Sequence, residues 1–261
     1  MDTISHAIAK AFVDARRNWE SITDYPGKRP ADLTAAYAIQ DCALSIWQRE
    51  VGGWKVGKIP VPTSSELGEN RLAGPVFADL IREENADLAE FRVFDPGFAA
   101  VEAEFMLRLA PKAGALPSTP AEAMSWVDEI RIGLEIASSP YGAINDDGPC
   151  VTVSDHGNNA GLLLGKRVPE SLWSSIDEIA VQVFVEGREV GTATTATMLD
   201  GPFGAVCFLL ANLRQRGIAP KAGWWISSGA ITGVHEVSPG QKVAASFAQV
   251  GNIAVRVVSP T

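Results

Sequence analysis

The sequence predicts an α+β fold in which N-terminal helices precede a mixed or antiparallel β-sheet. Apolar residues recur at helical spacing near the start of the chain, whereas alternation of apolar and other residues dominates its later part. No regular succession of strand, helix and strand is present, which argues against a Rossmann or barrel architecture. The helices are therefore expected to come first and most of the strands later.

Composition is that of an ordinary globular protein, with 46% hydrophobic and 20% charged residues among 261. The net charge of −9 argues against nucleic acid or an anionic membrane as a partner, because both require a basic surface. Cys42, Cys150 and Cys207 lack metal-ligand spacing and are odd in number, which predicts reduced thiols in a cytoplasmic protein. Neither a signal peptide nor a membrane-spanning apolar run is expected.

Two helices are predicted at the N-terminus. The apolar side of the first recurs at helical spacing and comprises Ile4, Ile8, Phe12, Ala15 and Trp19. Thr34 is expected to cap the second helix, and Gly52 and Gly53 to end it. We expect one domain, 1–261, with a helical part at 1–72 and a β-rich part at 73–261.

Strands are predicted in the middle and at the end of the chain. Strict alternation covers Val101–Leu109 and Glu129–Ala137, and a capping box at Thr119 and Glu122 begins a helix before the second segment. A surface loop rich in glycine, proline, asparagine and aspartate is predicted at Ser138–Cys150, and a polar segment of small residues follows at Val151–Asn159. The remaining segments are an apolar run at 162–164, a hairpin that starts at 181–185, a helix at about 203–216, and strands at 225–229, 243–250 and 253–258.

Three glutamates in the alternating segments are candidate metal ligands. Side chains two apart on a strand share a face, so Glu102 and Glu104 lie side by side, while Glu135 leaves the apolar face of the second strand. Like charges at this spacing repel unless a cation lies between them. Three carboxylates form a hard, all-oxygen ligand set that suits Mg²⁺ or Mn²⁺ better than zinc or copper. Solvated strand residues are the alternative.

Three further residues are candidates with simpler alternatives. Lys55 lies between two glycines and beside a tryptophan, which could hold its ammonium group as an anion anchor or proton carrier, although an exposed lysine is common. Asp79 alone is compatible with a surface residue or a helix cap. His156 could act as a base or contact a substrate, although a single loop histidine is more often neither.

Several stretches, in order, resemble the 2-keto-4-pentenoate hydratase family of the fumarylacetoacetate hydrolase superfamily. They are Ala36–Gln40, Gly53–Gly57, Phe77–Asp79, Val101–Glu104, Leu134–Ile136, Ser154–Asp155, Ala211–Leu213 and Ser228–Gly229. The most specific feature is the pair Glu102 and Glu104, followed by Glu135 31 residues after the second. The resemblance covers nearly the whole chain.

The resemblance implies a role for each matching residue. Glu102, Glu104 and Glu135 match metal ligands for Mg²⁺ or Mn²⁺. The catalytic pair would be Lys55 and the nearby acid Asp79, and the substrate side would comprise Asp155, His156, Ser228 and Gly229. It further implies a mixed β-roll preceded by helices, a small-molecule 2-oxo acid substrate and a symmetric homo-oligomer.

The chain departs from the family pattern where the rest of the substrate would bind. An arginine is missing from Ala137–Pro140, and the segments Asp155–Asn158 and Leu199–Pro202 also differ. The expected activity is addition of water to a 2-hydroxy-2,4-dienoate, which gives a 4-hydroxy-2-oxo acid. The alternatives are a 2-oxo acid decarboxylase, an acylpyruvate-type C–C hydrolase, and a non-catalytic keto-acid binding protein.

Overall fold

A computed structural model describes residues 3–260, which form six α-helices and thirteen β-strands. The helices are α1 (Thr3–Asn18), α2 (Leu33–Trp47), α3 (Thr63–Leu67), α4 (Pro120–Met124), α5 (Pro149–Ser154) and α6 (Gly201–Gln215). The strands are β1 (Val51–Lys58), β2 (Arg71–Phe77), β3 (Ile81–Glu83), β4 (Ala89–Arg92), β5 (Phe98–Leu109), β6 (Val127–Ser139), β7 (Asn159–Arg167), β8 (Val181–Val185), β9 (Arg188–Ala193), β10 (Trp225–Ser227), β11 (His235–Glu236), β12 (Lys242–Phe247) and β13 (Gly251–Val258).

The strands form two mixed sheets. The larger has eight strands in the order β2-β1-β10-β5-β6-β7-β3, with β11 also paired to β5, and the smaller has the order β4-β13-β12-β8-β9. The pairs β1–β10, β3–β7 and β4–β13 are parallel, whereas the others are antiparallel. The predicted α+β fold, with helices before a mixed sheet, is confirmed. Within residues 3–260, no helix combines the length and apolarity needed to span a membrane.

The strand β5 is buried on both faces, which corrects the prediction of a half-buried strand. Val101, Ala103 and Phe105 pack in the core shared with the smaller sheet, where the rings of Phe105 and Phe247 lie 5.4 Å apart. On the opposite face, Ala100 packs in a separate apolar cluster with residues of α1 and α2. Since Ala100 and Glu102 share a face, the N-terminal helices cover the side of the sheet that carries the glutamates.

The N-terminal elements differ from the prediction at their boundaries. Asp32, not Thr34, caps α2, because its carboxylate accepts a hydrogen bond from the backbone N–H of Ala35 at 2.8 Å. The helix ends at Trp47 because Gln48 adopts a left-handed conformation. Because β1 already belongs to the larger sheet, the purely helical part ends before residue 51 instead of at residue 72.

The predicted loop Ser138–Cys150 and the polar segment after it contain regular structure. The end of β6 and the start of α5 lie within the predicted loop, and the rest of α5 and the 3-10 turn His156–Asn158 lie in the polar segment. Pro149 begins α5, where its fixed φ and missing N–H are tolerated. A helix of six residues is too short to show apolar periodicity, which explains why it was missed.

Replacing Gly74 by alanine should destabilise the protein, because the 156–158 turn packs directly on β2. A Cβ at Gly74 would lie 2.1 Å from the carbonyl oxygen of His156, a backbone atom that has to move with the turn. We expect Gly74→Ala to cost about 2–3 kcal/mol and to lower the unfolding temperature by roughly 5–10 °C in circular dichroism. Gly142→Ala is the control, since its nearest neighbour would lie 3.8 Å away. Equal unfolding temperatures for both variants would contradict this packing.

Candidate metal centre

The three predicted carboxylates meet on one face of the larger sheet. The antiparallel register of β5 and β6 places Glu102 directly opposite Glu135, and Glu104 opposite Gly133. One carboxylate oxygen from each glutamate lies within 4.8 Å of the others, and the exposed fractions of Glu102, Glu104 and Glu135 are 6%, 0% and 0%. The predicted shared face is confirmed, whereas the alternative of solvated strand residues is wrong.

Neighbouring polar groups hold two of the glutamates in place. Ser227 Oγ donates a hydrogen bond to Glu104 Oε2, and the backbone N–H of Gly229 donates to the same oxygen at 2.8 Å. Asn159 Nδ2 donates to Glu135 Oε1 at 2.9 Å. Within residues 3–260, Glu104 Oε1 is buried and has no hydrogen-bond partner. A buried carboxylate oxygen without a hydrogen-bond partner costs free energy, and a bound cation would supply the missing partner.

Burial and mutual repulsion make the cluster unfavourable without a cation. Burial raises the pKa of Glu102 to about 7, with Lys55 opposing and Glu135 reinforcing that shift. Burial together with the charges of Glu135 and Glu102 raises the pKa of Glu104 well above its ordinary value. Three ionised carboxylates and one ammonium group would leave two negative charges, which a divalent cation balances. The donor set and its charge therefore fit Mg²⁺ or Mn²⁺.

Lys55 is buried beside the carboxylates, so the alternative of an exposed lysine is wrong. Its Nζ lies 3.3 Å from Glu135 Oε1 and 3.4 Å from Asn158 Oδ1. Burial alone would lower the pKa of Lys55, but the charges of the three glutamates outweigh it and raise that pKa. A Cβ at Gly157 would lie 2.9 Å from Lys55 Cδ, so a glycine at this position leaves room for the lysine.

Asp79 does not accompany Lys55, which corrects the predicted pair. Asp79 lies in the 3-10 turn Ala78–Leu80, and its side chain is 68% exposed. Its Oδ2 forms an ion pair with Arg49 at 2.5 Å, and Arg49 stacks on the rings of Trp47 and Phe77. Asp79 is therefore a surface residue, which was the alternative interpretation of the sequence. Its side chain forms no described ion pair with Lys55.

Asp155 and His156 are buried, and their described side-chain contacts are with other protein groups, so their place beside a substrate stays a prediction. Asp155 is fully buried, and its oxygens accept hydrogen bonds from Arg16 at 2.5 and 2.8 Å and from Ser139 at 2.7 Å. The ring of His156 packs against Trp47 and Phe77 at centroid distances of 5.6 and 5.5 Å. Asp155 thus has a structural role, because its carboxylate oxygens accept hydrogen bonds from Arg16 of α1 and Ser139 of β6.

The strand β10 presents Ser227, not Ser228, to the glutamates. Its register pairs Ser227 with Lys55, and successive side chains point to opposite faces, so Ser228 points away from the cluster. Gly229 contacts Glu104 through its backbone N–H, as noted above. Ser228 Oγ is buried and, among the described residues, has no hydrogen-bond partner.

Sequence reasoning missed four residues of this site: Arg16, Asn158, Asn159 and Ser227. The alternation of 225–229 could have indicated Ser227, and the adjacent asparagines form part of a polar run that was noted only for His156. Arg16 lies 139 positions before its partner Asp155, and nothing in the local sequence of the first helix indicates that contact.

Comparison with known proteins supports a common family. No protein-family model matches the chain. It is 28% identical over 232 residues to the TodF product hydratase of Pseudomonas putida F1, covering 85% of this chain and 83% of the relative. It is 26% identical over 223 residues to a 2-keto-4-pentenoate hydratase of Paraburkholderia xenovorans LB400, covering 84% and 81%.

A solved structure supports the same relationship at the level of the fold. The 4-oxalocrotonate decarboxylase of Pseudomonas putida G7, complexed with magnesium and adipate, superposes with a TM-score of 0.81 at 19% identity. The match covers 97% of both chains. The chain is thus similar in sequence to two hydratases and shares its fold with the solved decarboxylase, in agreement with the resemblance that the sequence indicated.

Proposed function

We propose that the protein is a divalent-metal-dependent hydratase that adds water to a 2-hydroxy-2,4-dienoate and yields a 4-hydroxy-2-oxo acid. The observation that carries this proposal is the cluster of three buried carboxylates beside a buried lysine. The similarity to two hydratases supports the reaction type. The small size expected of the substrate is consistent with the buried site.

The carboxylates of Glu102, Glu104 and Glu135 would hold Mg²⁺ or Mn²⁺. When bound, such a cation acts as a Lewis acid that stabilises the negative charge developing on the 2-oxygen of the substrate. Ser227 and Gly229 orient Glu104 through hydrogen bonds, while Asn159 orients Glu135. Burial of the cluster excludes bulk water, which strengthens these interactions.

Lys55 would bind the substrate anion and assist proton transfer. The reaction moves the proton of the 2-hydroxyl group away and adds a proton at C5, which produces a 2-oxo-3-enoate. Water then supplies a hydroxyl group to C4 and a proton to C3. The ammonium group of Lys55 lies at the edge of the carboxylate cluster, where it can donate hydrogen bonds to the carboxylate or the 2-oxygen of the substrate.

Decarboxylation of a 2-oxo acid is the second candidate. The solved decarboxylase aligns with this chain over 97% of its length. When the bond to a distal carboxylate conjugated with the 2-oxo group breaks, CO₂ leaves and the electron pair moves onto the 2-oxygen, as it does when a proton is removed from that chain, so the same carboxylates and lysine would serve both reactions. C–C hydrolysis of an acylpyruvate ranks below both. The homo-oligomer implied by the family resemblance stays a prediction.

Turnover of freshly generated 2-hydroxypenta-2,4-dienoate tests the proposed hydration. We expect loss of diene absorbance and formation of 4-hydroxy-2-oxopentanoate with Mg²⁺ or Mn²⁺, and no turnover after chelation. Lys55→Met should lower kcat/KM by roughly 10³-fold, because a buried cation beside the anion is lost. Lys28→Met, at an exposed lysine, is the matched control. If the metal-loaded protein leaves the diene unchanged, hydration of this substrate is wrong, and CO₂ release from a 2-oxo diacid would favour the second candidate.

A further inference from the structure

Besides the glutamates, the ammonium group of Lys55 has one further buried polar neighbour, the amide of Asn158. Lys55 Nζ lies 3.3 Å from Glu135 Oε1 and 3.4 Å from Asn158 Oδ1, and the exposed fraction of Asn158 is 3%. Within residues 3–260, Lys55 Nζ has no other hydrogen-bond or ion-pair partner. An ammonium group carries three hydrogens, so these two contacts leave one N–H for a substrate anion.

The amide of Asn158 has one orientation that suits this contact. Because the ammonium group can only donate, it requires the oxygen of the amide, which directs the Nδ2 group away from Lys55. That Nδ2 group donates to Asn145 Oδ1 at 3.0 Å. In the reverse orientation, an N–H group of Asn158 would face the ammonium group, which is unfavourable. The donor on Lys55 and the acceptor on Asn145 therefore favour the same orientation of the amide.

Asn145 lies in the loop that joins β6 to α5, within the surface loop predicted from its glycine, proline, asparagine and aspartate content. Its side chain is exposed, in contrast to that of Asn158. The loop is attached to α5, because Thr152 Oγ1 donates to the carbonyl oxygen of Ile144 at 3.0 Å and lies 3.4 Å from Asn145 Oδ1. An exposed side chain of a surface loop thus contacts a buried neighbour of Lys55.

The backbone at Asn158 suits an asparagine. The φ angles of His156, Gly157 and Asn158 are 55°, 66° and 55°, all in the left-handed region. Asparagine adopts this region more readily than most other residues that have a side chain. The chain departs from the family pattern in this same segment, Asp155–Asn158. The contact between Asn158 and Lys55 is therefore a feature of this chain that the resemblance does not imply.

We propose that Asn158 is a positioning residue for Lys55 and that Asn145 fixes the orientation in which Asn158 acts. The amide oxygen of Asn158 and the carboxylate of Glu135 hold two N–H groups of the ammonium, and the third is left for the carboxylate or 2-oxygen of the substrate. This inference rests on the proposed function and adds two residues that position one of its groups. A contact that only stabilises the fold is the competing explanation, and it predicts no selective loss of anion affinity.

Equilibrium binding of 2-oxopentanoate to the Mn²⁺-loaded protein tests the inference without turnover. In isothermal titration calorimetry, Asn158→Gly, which suits the left-handed backbone, should bind this ligand about 10-fold more weakly than the wild type. Asn145→Ala should weaken binding about 3- to 5-fold, because the amide loses one of the two contacts that fix its orientation. Asn145→Asp should recover most of that loss, since a carboxylate oxygen again accepts from Asn158. Asn70→Ala, at another exposed asparagine, is the matched control.

A double-mutant cycle separates positioning from stability. If Asn145 acts through Asn158, then Asn145→Ala should have no further effect on 2-oxopentanoate affinity in the Asn158→Gly background. Thermal unfolding and Mn²⁺ titration establish that each variant is folded and binds the metal as the wild type does. Should Asn158→Gly not meet these conditions, the comparison of Asn145→Ala with Asn145→Asp carries the test.

Each outcome bears on the inference. Wild-type affinity for 2-oxopentanoate in Asn158→Gly and Asn145→Ala would overturn it, as would a loss in Asn145→Ala that Asn145→Asp does not recover. If the variants bind 2-oxopentanoate more weakly as expected but the wild type hydrates no diene, the proposed function fails while the positioning of Lys55 stands. If the wild type hydrates the diene and both variants bind 2-oxopentanoate as tightly as it does, the reverse holds.

Discussion

Glu104→Gln should abolish both metal binding and turnover, yet stabilise the metal-free protein above pH 7. Glutamine preserves the shape of the side chain while it removes one charge from a cluster of three buried carboxylates. We expect kcat/KM to fall by at least roughly 10³-fold, since a bound metal ion contributes several kcal/mol of transition-state stabilisation. The same change removes the repulsion between Glu104 and the other two carboxylates, which in the metal-free protein is not balanced by a cation, so the metal-free variant should be more stable.

The direction of the pH effect follows from the raised carboxyl pKa values. Glu102, with its pKa raised by burial to about 7, binds a proton in the folded state between about pH 4.5 and pH 7, whereas the unfolded chain has already lost it. The folded state then binds more protons, so stability of the metal-free protein falls as pH rises through this range. Glu104 acts in the same direction, because burial and the charges of Glu135 and Glu102 raise its pKa well above the ordinary value. A divalent cation binds the ionised carboxylates and therefore opposes this loss of stability at higher pH.

Thermal unfolding between pH 5.5 and pH 8, with and without Mn²⁺, measures both effects. The wild type should lose stability with rising pH when metal-free and gain more from Mn²⁺ at pH 8 than at pH 5.5. Glu104→Gln should show a smaller pH dependence and almost no gain from Mn²⁺. Glu66→Gln, at an exposed glutamate, should behave as the wild type does. An undiminished gain from Mn²⁺ in Glu104→Gln would contradict a metal site at this cluster.

Arg16→Met should produce the largest loss of stability, although Arg16 lies far from the glutamates in sequence. The guanidinium of Arg16 forms two hydrogen bonds to the Asp155 carboxylate, and it also donates to the carbonyl oxygens of Ser138 at 2.9 Å and Asn159 at 3.1 Å. Removal would leave Asp155 buried without its counter-charge, which costs about 3–5 kcal/mol, or roughly 8–15 °C in unfolding temperature. Turnover should fall as well, because Asn159 orients Glu135.

Acid titration and a double variant check this account. Burial alone would raise the pKa of Asp155, but the charge and hydrogen bonds of Arg16, together with the nearby ring of His156, lower it to about 2. Its stabilising contribution is therefore present above pH 3.8 and lost as the pH falls toward 2. Arg16→Met with Asp155→Asn should recover part of the stability, since the uncompensated charge is gone. Arg17→Met is the control, because Arg17 is exposed and donates to the carbonyl of Ile46 on the surface. A similar loss in both single variants would argue against the buried pair.

The metal centre could be predicted from sequence because its signal is local. Alternation along β5 and β6 places Glu102 and Glu104 on one face, and the register then brings Glu135 opposite Glu102. Lys55 was recognised for a similar reason, since its neighbouring glycines allow close packing. On β10, Ser227 bonds Glu104, a contact that the sequence analysis did not predict, while the substrate contact that the family resemblance implies for Ser228 stays a prediction.

The remaining features depend on contacts between distant parts of the chain. Whether Asp79 faces Lys55 or Arg49 depends on how the end of α2 packs beside β2, which no spacing in the sequence indicates. The roles of Asp155 and His156 likewise follow from Arg16 and Trp47, residues of the N-terminal helices. These helices also bury the glutamate face of β5, a cover that the alternation of this strand does not indicate.

Anomalous diffraction from crystals soaked in Mn²⁺ tests the central claim most directly. The account predicts one strong anomalous peak within about 2.0–2.4 Å of carboxylate oxygens from Glu102, Glu104 and Glu135, and its absence in Glu104→Gln crystals treated in the same way. A peak elsewhere in the protein, or none near these three side chains in the wild type, would contradict the metal centre and the chemistry proposed for it.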